Sequence, residues 1–353
     1  MEPNRTMRAW THTRAGLPGD VLALSSLPVP SITSPTQVLI RITYCALNPG
    51  GSIIMQLLPF FFRTSPAIPE TDFSGVIVAC GADVPSERCL QVGTEVFGSI
   101  LVGQHVKSTS GALAEYVVVD CSMVVRKPAG ATLEQVAGLG VAGATALETI
   151  KGAKLKKGDS VLVNGASGGI GHFIVQICRE EVGETGKVVA VCSGKNVEWV
   201  RELGCDEVID YNSHAPVTAY LTEKYSGSRF NAIIDAAGIQ ALLLSCPSFL
   251  AEGKPYVSVG PRPSGYTYGA MLATIGQMAK NFLWPSLLGG VPRPYVQVAA
   301  TANRESLEAL AKLVEERRLR VVVGFRTGFE DALQAYNRLL SSPKGKVVVQ
   351  VQS

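Results

Sequence analysis

At 353 residues, with 46% hydrophobic and 17% charged residues, the chain is long enough for about two packed domains and too apolar for a disordered polymer. A formal net charge of +3 without a Lys/Arg run or basic stripe offers nucleic acid no surface, and no segment holds the about 18 to 20 apolar residues of a membrane helix. Eight cysteines (Cys45, Cys80, Cys89, Cys121, Cys178, Cys192, Cys205, Cys246) are dispersed without a CxxC pair, and "MEPNRTMRAWTHTRAG" lacks a signal-peptide core. Reduced thiols and a cytoplasmic location are the expectation.

From Trp10 to Asp120 short β-rich runs are separated by Gly and Pro: "QVLIRITYCAL", "FSGVIVACG", "GTEVFGSILV" and "ALAEYVVVD". They predict a mostly β domain with long loops, among them "GSIIMQLLPFFFRTSPAIP". After "KPAGATLEQVAGLG" strand-like and helical runs alternate: "SVLVNGA" then 169–182, "KVVAVC" then 195–204, "EVIDY" then 214–225, "AIIDAAG" then 239–250, and "YVSVG". Such alternation predicts parallel strands with crossover helices, a doubly wound α/β domain. The last 50 residues add an amphipathic helix near Glu305 to Arg317, a strand "RVVVGF", a helix "FEDALQAYNRLL" and a closing strand "GKVVVQV". Without another Gly-rich turn, this stretch is expected to pack back onto the first domain.

One turn carries chemistry. In "VLVNGASGGIGHFIVQICR" an apolar strand meets Ala166-x-Gly168-x-x-Gly171, with Ser167, Gly169 and Ile170 between, and Ile170, Phe173, Ile174 and Ile177 follow at helical spacing. Small residues let backbone approach a diphosphate, and the helix start offers unpaired N–H groups and a positive dipole end. A tight turn that needs glycine for φ alone is the rival reading. NAD sites place an Asp or Glu about 20 residues past the glycines. Here Ser193, Gly194, Lys195 and Asn196 stand there instead, and a hydroxyl and an ammonium suit the 2'-phosphate of NADPH. The alternative for Lys195 is a solvated helix-start lysine.

The ordered set "ALNPG", "IPETDFSGVIVACG", "GALAEYVVVD", "AGATAL", "VLVNGASGGIG", "CSGKNVEWVRELGCDEVIDY", "DAAG" and "GKVVV" resembles the medium-chain dehydrogenase/reductase superfamily over nearly the whole chain. The likeness is strongest to the zinc-free quinone oxidoreductase branch, which includes zeta-crystallin-like enzymes and fungal enoyl reductases. It implies a GroES-like catalytic domain from 1–128 and 303–353, a Rossmann domain over 129–302, and a cleft between them. It also implies that Thr145 stands near the nicotinamide, that Ser193, Lys195 and Tyr211 hold the 2'-phosphate, and that Gly238, Val259 and Gly260 line the cofactor. Lys346 matches a C-terminal position sometimes near it. Homodimerisation through the last Rossmann strand, here "RPYVQVAAT", is expected by the same analogy.

Zinc members carry a Cys ligand where this chain has Asn48 and a His within the segment that reads "IPETD". With Asn48, Glu70 and Asp72 there and four His in all, no thiolate or imidazole set assembles from the sequence. A zinc-free site must polarise a carbonyl by hydrogen bonding, which suits conjugated acceptors. Two departures thin the branch's polar supports: Gly51 replaces the Asp of "NPxD" with no tyrosine following in "SIIMQLLPFFF", and Gly324 replaces another Asp.

The expectation is therefore an NADPH-dependent reductase of an apolar α,β-unsaturated carbonyl, with Asn48 donating to the carbonyl oxygen or the nicotinamide ribose; an Asn-Pro turn is the equal rival for Asn48. His105, in a predicted loop, reads as a surface histidine with a proton shuttle as the lesser alternative, and Tyr44 as a packed strand residue. The runs "IIMQLLPFFF" and "NFLWPSLLGGVP" suit either an apolar substrate pocket or, equally, a core-facing helix or a dimer contact. A quinone reductase and a non-catalytic NADPH-binding scaffold remain the rivals.

Overall fold

The computed structural model describes residues 5–284, 288–299, 301–341 and 343–352. Residues 1–4 of the N-terminal run, 285–287 of "NFLWPSLLGGVP" and Ala300 of "RPYVQVAAT" lie outside the described residues. The chain divides into two units, Met1–Ala144 with Thr301–Ser353, and Thr145–Ala300.

The first unit begins with β1 (Thr6–Thr11), α1 (Pro18–Val21) and β2 (Ala23–Pro28), β1 pairing with β2 antiparallel. It continues with β3 (Gln37–Leu47), α2 (Pro49–Leu57), β4 (Asp72–Cys80), β5 (Glu95–Ser99), α3 (Val102–Lys107), β6 (Tyr116–Asp120), β7 (Val124–Arg126), α4 (Leu133–Ala137) and the start of α5 (Gly140–Ala153). In the second unit β8 (Ser160–Asn164), α6 (Gly171–Val182), β9 (Lys187–Cys192), α7 (Val197–Arg201), β10 (Glu207–Asp210), α8 (Val217–Tyr225), β11 (Ala232–Asp235), α9 (Gln240–Ser245), β12 (Tyr256–Ser258), α10 (Tyr268–Leu283) and β13 (Tyr295–Gln297) alternate as predicted. The chain then returns to the first unit through α11 (Arg304–Glu315), β14 (Val323–Gly328), α12 (Ala332–Leu340) and β15 (Lys346–Gln350).

β3 is the centre of the first unit because it is apolar on both faces: Val38, Leu39, Ile40, Ile42 and Leu47 are all buried. It pairs antiparallel with β15, β4 and β6 in a sheet of order β14-β15-β3-β4-β5-β7, so both chain ends build one sheet. The first compact unit runs on through Ala144. Helix α4 is fixed by a Thr132–Gln135 capping box and packs Ala137 against Ala46 and Val348 of the first sheet.

The second unit holds a six-stranded, all-parallel sheet of order β10-β9-β8-β11-β12-β13. This is the doubly wound Rossmann order, with its switch point between β8 and β11. Its strands are continuous apolar runs such as Val161, Leu162 and Val163, as a sheet covered on both faces requires.

Two stretches depart from their predicted form. "LVGQHVKSTSG" contains α3 rather than a loop alone, and His105 on it is 2% exposed, so it is not a surface histidine. The run read as a long loop contains α2, whose Ser52, Met55, Gln56 and Leu57 face inward while Phe61 and Phe62 beyond it are exposed.

Candidate functional site

Parallel strand order gathers the candidate dinucleotide residues. β9, β8, β11 and β12 are neighbours, and their carboxyl ends lead into Ser193, the turn 165–171, Gly238 and the Val259-Gly260 pair respectively. The turn after β8 is anchored by Gly165 and Ala166, whose N–H groups both donate to the Val191 carbonyl at 3.1 Å. Gly171 packs so closely that a Cβ there would lie 2.1 Å from the Gly165 carbonyl oxygen. Helix α6 starts at Gly171 with no side-chain cap, and the N–H groups of His172 and Phe173 donate to the Gly168 and Ile170 carbonyls, so only the main chain ahead of them is open to an anion. A Cβ at Gly168 would meet nothing closer than the Gly165 oxygen at 3.3 Å. The bare turn thus fits a diphosphate.

Asn196 joins this turn to the next strand end. Buried at 5% exposure, it donates from Nδ2 to Ser167 Oγ at 3.0 Å and Ser193 Oγ at 3.1 Å. Both hydroxyls therefore act as acceptors toward Asn196 and keep their own hydrogens for a ligand. Lys195 is exposed and makes no ion pair among the described residues, and Tyr211 is 46% exposed. Asp235 performs the same service on the other side: its carboxylate accepts from the N–H groups of Ala237, Gly238 and Ile239, from Tyr256 Oη at 2.8 Å and from Asn164 Nδ2 at 2.8 Å. Gly238, at φ 68°, lies against Gly260, whose carbonyl oxygen would be 2.1 Å from a Cβ at 238. Thr145 is buried within α5.

The catalytic candidate lies in the first unit, at the end of β3. Asn48 begins α2 and is 7% exposed, with an extended backbone ahead of Pro49. Its amide is held at both ends: Oδ1 accepts from Lys346 Nζ at 2.7 Å, and Nδ2 donates to Asp72 Oδ2 at 2.8 Å. Its main-chain N–H donates to Glu70 Oε2 at 3.0 Å, and Glu70 Oε1 accepts from Tyr336 Oη at 3.0 Å. Lys346 is 3% exposed and also donates to the Leu47 carbonyl, so the structure places this ammonium beside Asn48 as its support. Asn48 thus precedes Pro49 at the helix start with its amide hydrogen-bonded to Asp72 and Lys346.

Electrostatics follow from burial. Burial pushes the Glu70 carboxyl up to about 7, with Asp72 adding to the rise and the Asn48 N–H, Tyr336 and Lys346 opposing it. Burial also raises Asp72 and lowers Lys346, each countered by the other. The polar supports that the Gly51 and Gly324 departures suggested were thin are instead dense, supplied by Glu70, Asp72, Lys346 and Tyr336. Gly324 itself sits in a bulge where a Cβ would lie 1.5 Å from the Lys344 carbonyl oxygen, leaving no room for a carboxylate.

Asn196, Asp235, Glu70 and Tyr336 were not assigned roles from sequence. Asp235, before Ala-Ala-Gly at a strand end, carried a readable signal, since a short acid there closes a turn. Tyr336 did not, being 266 residues from Glu70. Among the described residues no group of three His, Cys, Asp or Glu side chains is placed to hold a metal ion.

Comparison with known proteins gives the family and the fold. Residues 34–129 match the alcohol dehydrogenase GroES-like domain, and residues 203–349 match the zinc-binding dehydrogenase model. A trans-enoyl reductase of Penicillium oxalicum is 34% identical, with the whole of both chains covered. A medium chain reductase of Acremonium sp is 31% identical over 98% of this chain and 99% of its own. Among solved structures, the quinone oxidoreductase from Coxiella burnetii matches with a TM-score of 0.77 at 26% identity, covering 99% of this chain and 100% of that one.

Proposed function

The chain belongs to the medium-chain dehydrogenase/reductase family, in the branch of quinone oxidoreductases and enoyl reductases, and we propose that it reduces the conjugated C=C of an apolar α,β-unsaturated carbonyl compound with NADPH and without a metal. Bound NADPH supplies a hydride from C4 of its nicotinamide. The turn from Ala166 through Ser167, Gly168, Gly169 and Ile170 to Gly171 holds the diphosphate. Ser193, Lys195 and Tyr211 hold the 2'-phosphate, and Thr145, Gly238, Val259 and Gly260 line the remainder. Lys346 acts through Asn48. A homodimer forms through β13, the edge strand of its sheet.

The observation that carries the catalytic part is the clamped amide of Asn48. One Nδ2 hydrogen goes to Asp72, and the other meets no acceptor among the described residues, leaving it for the substrate oxygen. The Lys346 ammonium on Oδ1 draws electron density from that amide and strengthens its donor end at the moment negative charge develops on the carbonyl oxygen. A fixed dipole of this kind costs no reorganisation during the reaction. Quinone reduction is the second reading, favoured by the Coxiella burnetii likeness, because a quinone oxygen would meet the same hydrogen.

Steady-state NADPH oxidation with an enone, an enoyl thioester and an ortho-quinone tests the assignment. Turnover is expected with the enone or thioester, and Asn48→Ala should lower kcat about 100-fold with NADPH affinity unchanged. Turnover of the quinone alone would favour the second reading. Tight NADPH binding with no turnover on any acceptor would leave a binding protein and overturn the proposal.

A further inference from the structure

Two buried carboxylates flank Asn48, and each lies over a glycine near the start of a helix. Asp72, fully buried, accepts from the Val141 N–H in the first turn of α5, and a Cβ at Gly140 would stand 2.4 Å from its Oδ1. Glu70, 1% exposed, accepts from the Asn48 N–H at the start of α2, and a Cβ at Gly51 would stand 2.6 Å from its Oε2. Helix starts favour negative charge, and neither carboxylate would fit if these glycines carried side chains.

The two carboxylates do not have equal charge cover. The titratable groups that face Glu70 are Asp72 of β4, Lys346 of β15, Cys45 of β3 and Tyr336 of α12. Lys346 is the sole cation among them, and its ammonium is hydrogen-bonded to Asn48, which in turn donates to Asp72. Asp72 and Lys346 cancel. Ionised Glu70 then leaves one net negative charge in a site that water does not reach, whereas protonated Glu70 leaves none. Glu70 also adopts a φ of 66°, a left-handed backbone that residues with side chains seldom take, so its carboxylate is held here against local preference.

We propose that Glu70 is a positioning residue for the reduction, holding Asn48 through its main-chain N–H and setting by its own protonation the net charge behind the amide that meets the substrate oxygen. The inference rests on Asn48 acting as assigned above. Reduction builds negative charge on the substrate oxygen, so a neutral cluster favours it and an anionic one opposes it. Activity should therefore fall as pH rises through the Glu70 ionisation.

The test is the pH dependence of kcat for enone reduction from about pH 5.5 to about 9 in the wild type, Glu70→Gln and Tyr336→Phe, with NADPH affinity measured at each pH. One unit charge near the reacting oxygen, at the effective dielectric of a protein, predicts a fall of roughly tenfold in the wild type. The inflection is expected near pH 7. Glu70→Gln, whatever its absolute kcat, should show no inflection across this range when its profile is scaled to its own value at about pH 6. Tyr336→Phe removes a donor that favours the carboxylate and should move the inflection upward. A wild-type inflection retained in Glu70→Gln overturns the proposal. If that variant does not fold, an unmoved inflection in Tyr336→Phe overturns it instead. A wild type that binds NADPH but reduces no acceptor at any pH sinks the functional reading and this role together, whereas turnover with identical profiles sinks this role alone.

Discussion

In the NADPH site proposed above, Lys195 and Ser193 would divide the choice of dinucleotide between a charge and a directed hydrogen. Asn196 spends its Nδ2 hydrogens on Ser167 and Ser193, so each serine must turn its own hydrogen outward. Asp210 lies beneath Gly194, where a Cβ would stand 2.5 Å from its Oδ2, and is engaged by the Asn212 N–H and the Ser213 hydroxyl. Lys195 is thus the cation available to a 2'-phosphate, and a charge-assisted hydrogen bond contributes about 1.5–3 kcal/mol. Lys195→Ala should weaken NADPH binding about 10- to 100-fold by calorimetry and leave NADH within about threefold. Equal losses for the two nucleotides would reject the assignment. The lysine and serine could be read in "CSGKN" because they replace an acid whose role is known, but the part played by Asn196 depends on two serines meeting it in space.

Elements built from local periodicity were legible, and elements built from long-range burial were not. The alternation of strand and helix from β8 to β12 shows in the sequence because each strand is a continuous apolar run followed by turn residues. α2 was legible only as the core-facing helix that "IIMQLLPFFF" allowed, since it opens on Pro49, Gly50 and Gly51, and α3 escaped because it is only Val102–Lys107. Glycines divide in the same way. Gly238 holds φ 68° against Gly260, so Gly238→Ala should cost about 2 kcal/mol or more in urea unfolding and weaken the dinucleotide. Gly276, inside α10 with nothing within 4 Å of a Cβ, should respond with the opposite sign, Gly276→Ala adding about 0.5–1 kcal/mol. Destabilisation of similar size at both positions would show that the close approach at Gly238 has no special weight.

At the scale of the molecule, both chain ends form one sheet around β3, and the inserted parallel sheet could be anticipated from motif order alone. The buried polar interior of the first unit could not, since nothing in "LVGQHVKSTSG" marks His105 as buried. That burial has a measurable consequence. His105 Nδ1 bonds the Ser110 carbonyl and His12 Nδ1 the Arg14 carbonyl, and burial, with the Arg63 charge opposing a second cation, lowers both imidazoles to about 4. The unfolded chain protonates histidine near 6.5, so between that value and 4 it binds more protons than the folded one. Each histidine then contributes about 3 kcal/mol that is fully present above pH 6.5 and is lost as pH falls. Glu70 runs the other way: raised from 4.5 to about 7, it stabilises most at low pH, and about 3 kcal/mol is lost as pH rises across that interval. In this window the two histidines lose stability on acidification while Glu70, with Asp72 also raised by burial, acts in the opposite sense. His105→Gln should flatten that loss and Glu70→Gln should steepen it, as read from urea unfolding at a series of pH values. If His105→Gln keeps the wild-type slope, the imidazole is already charged in the folded chain, and the account of a dry interior beneath α3 is wrong.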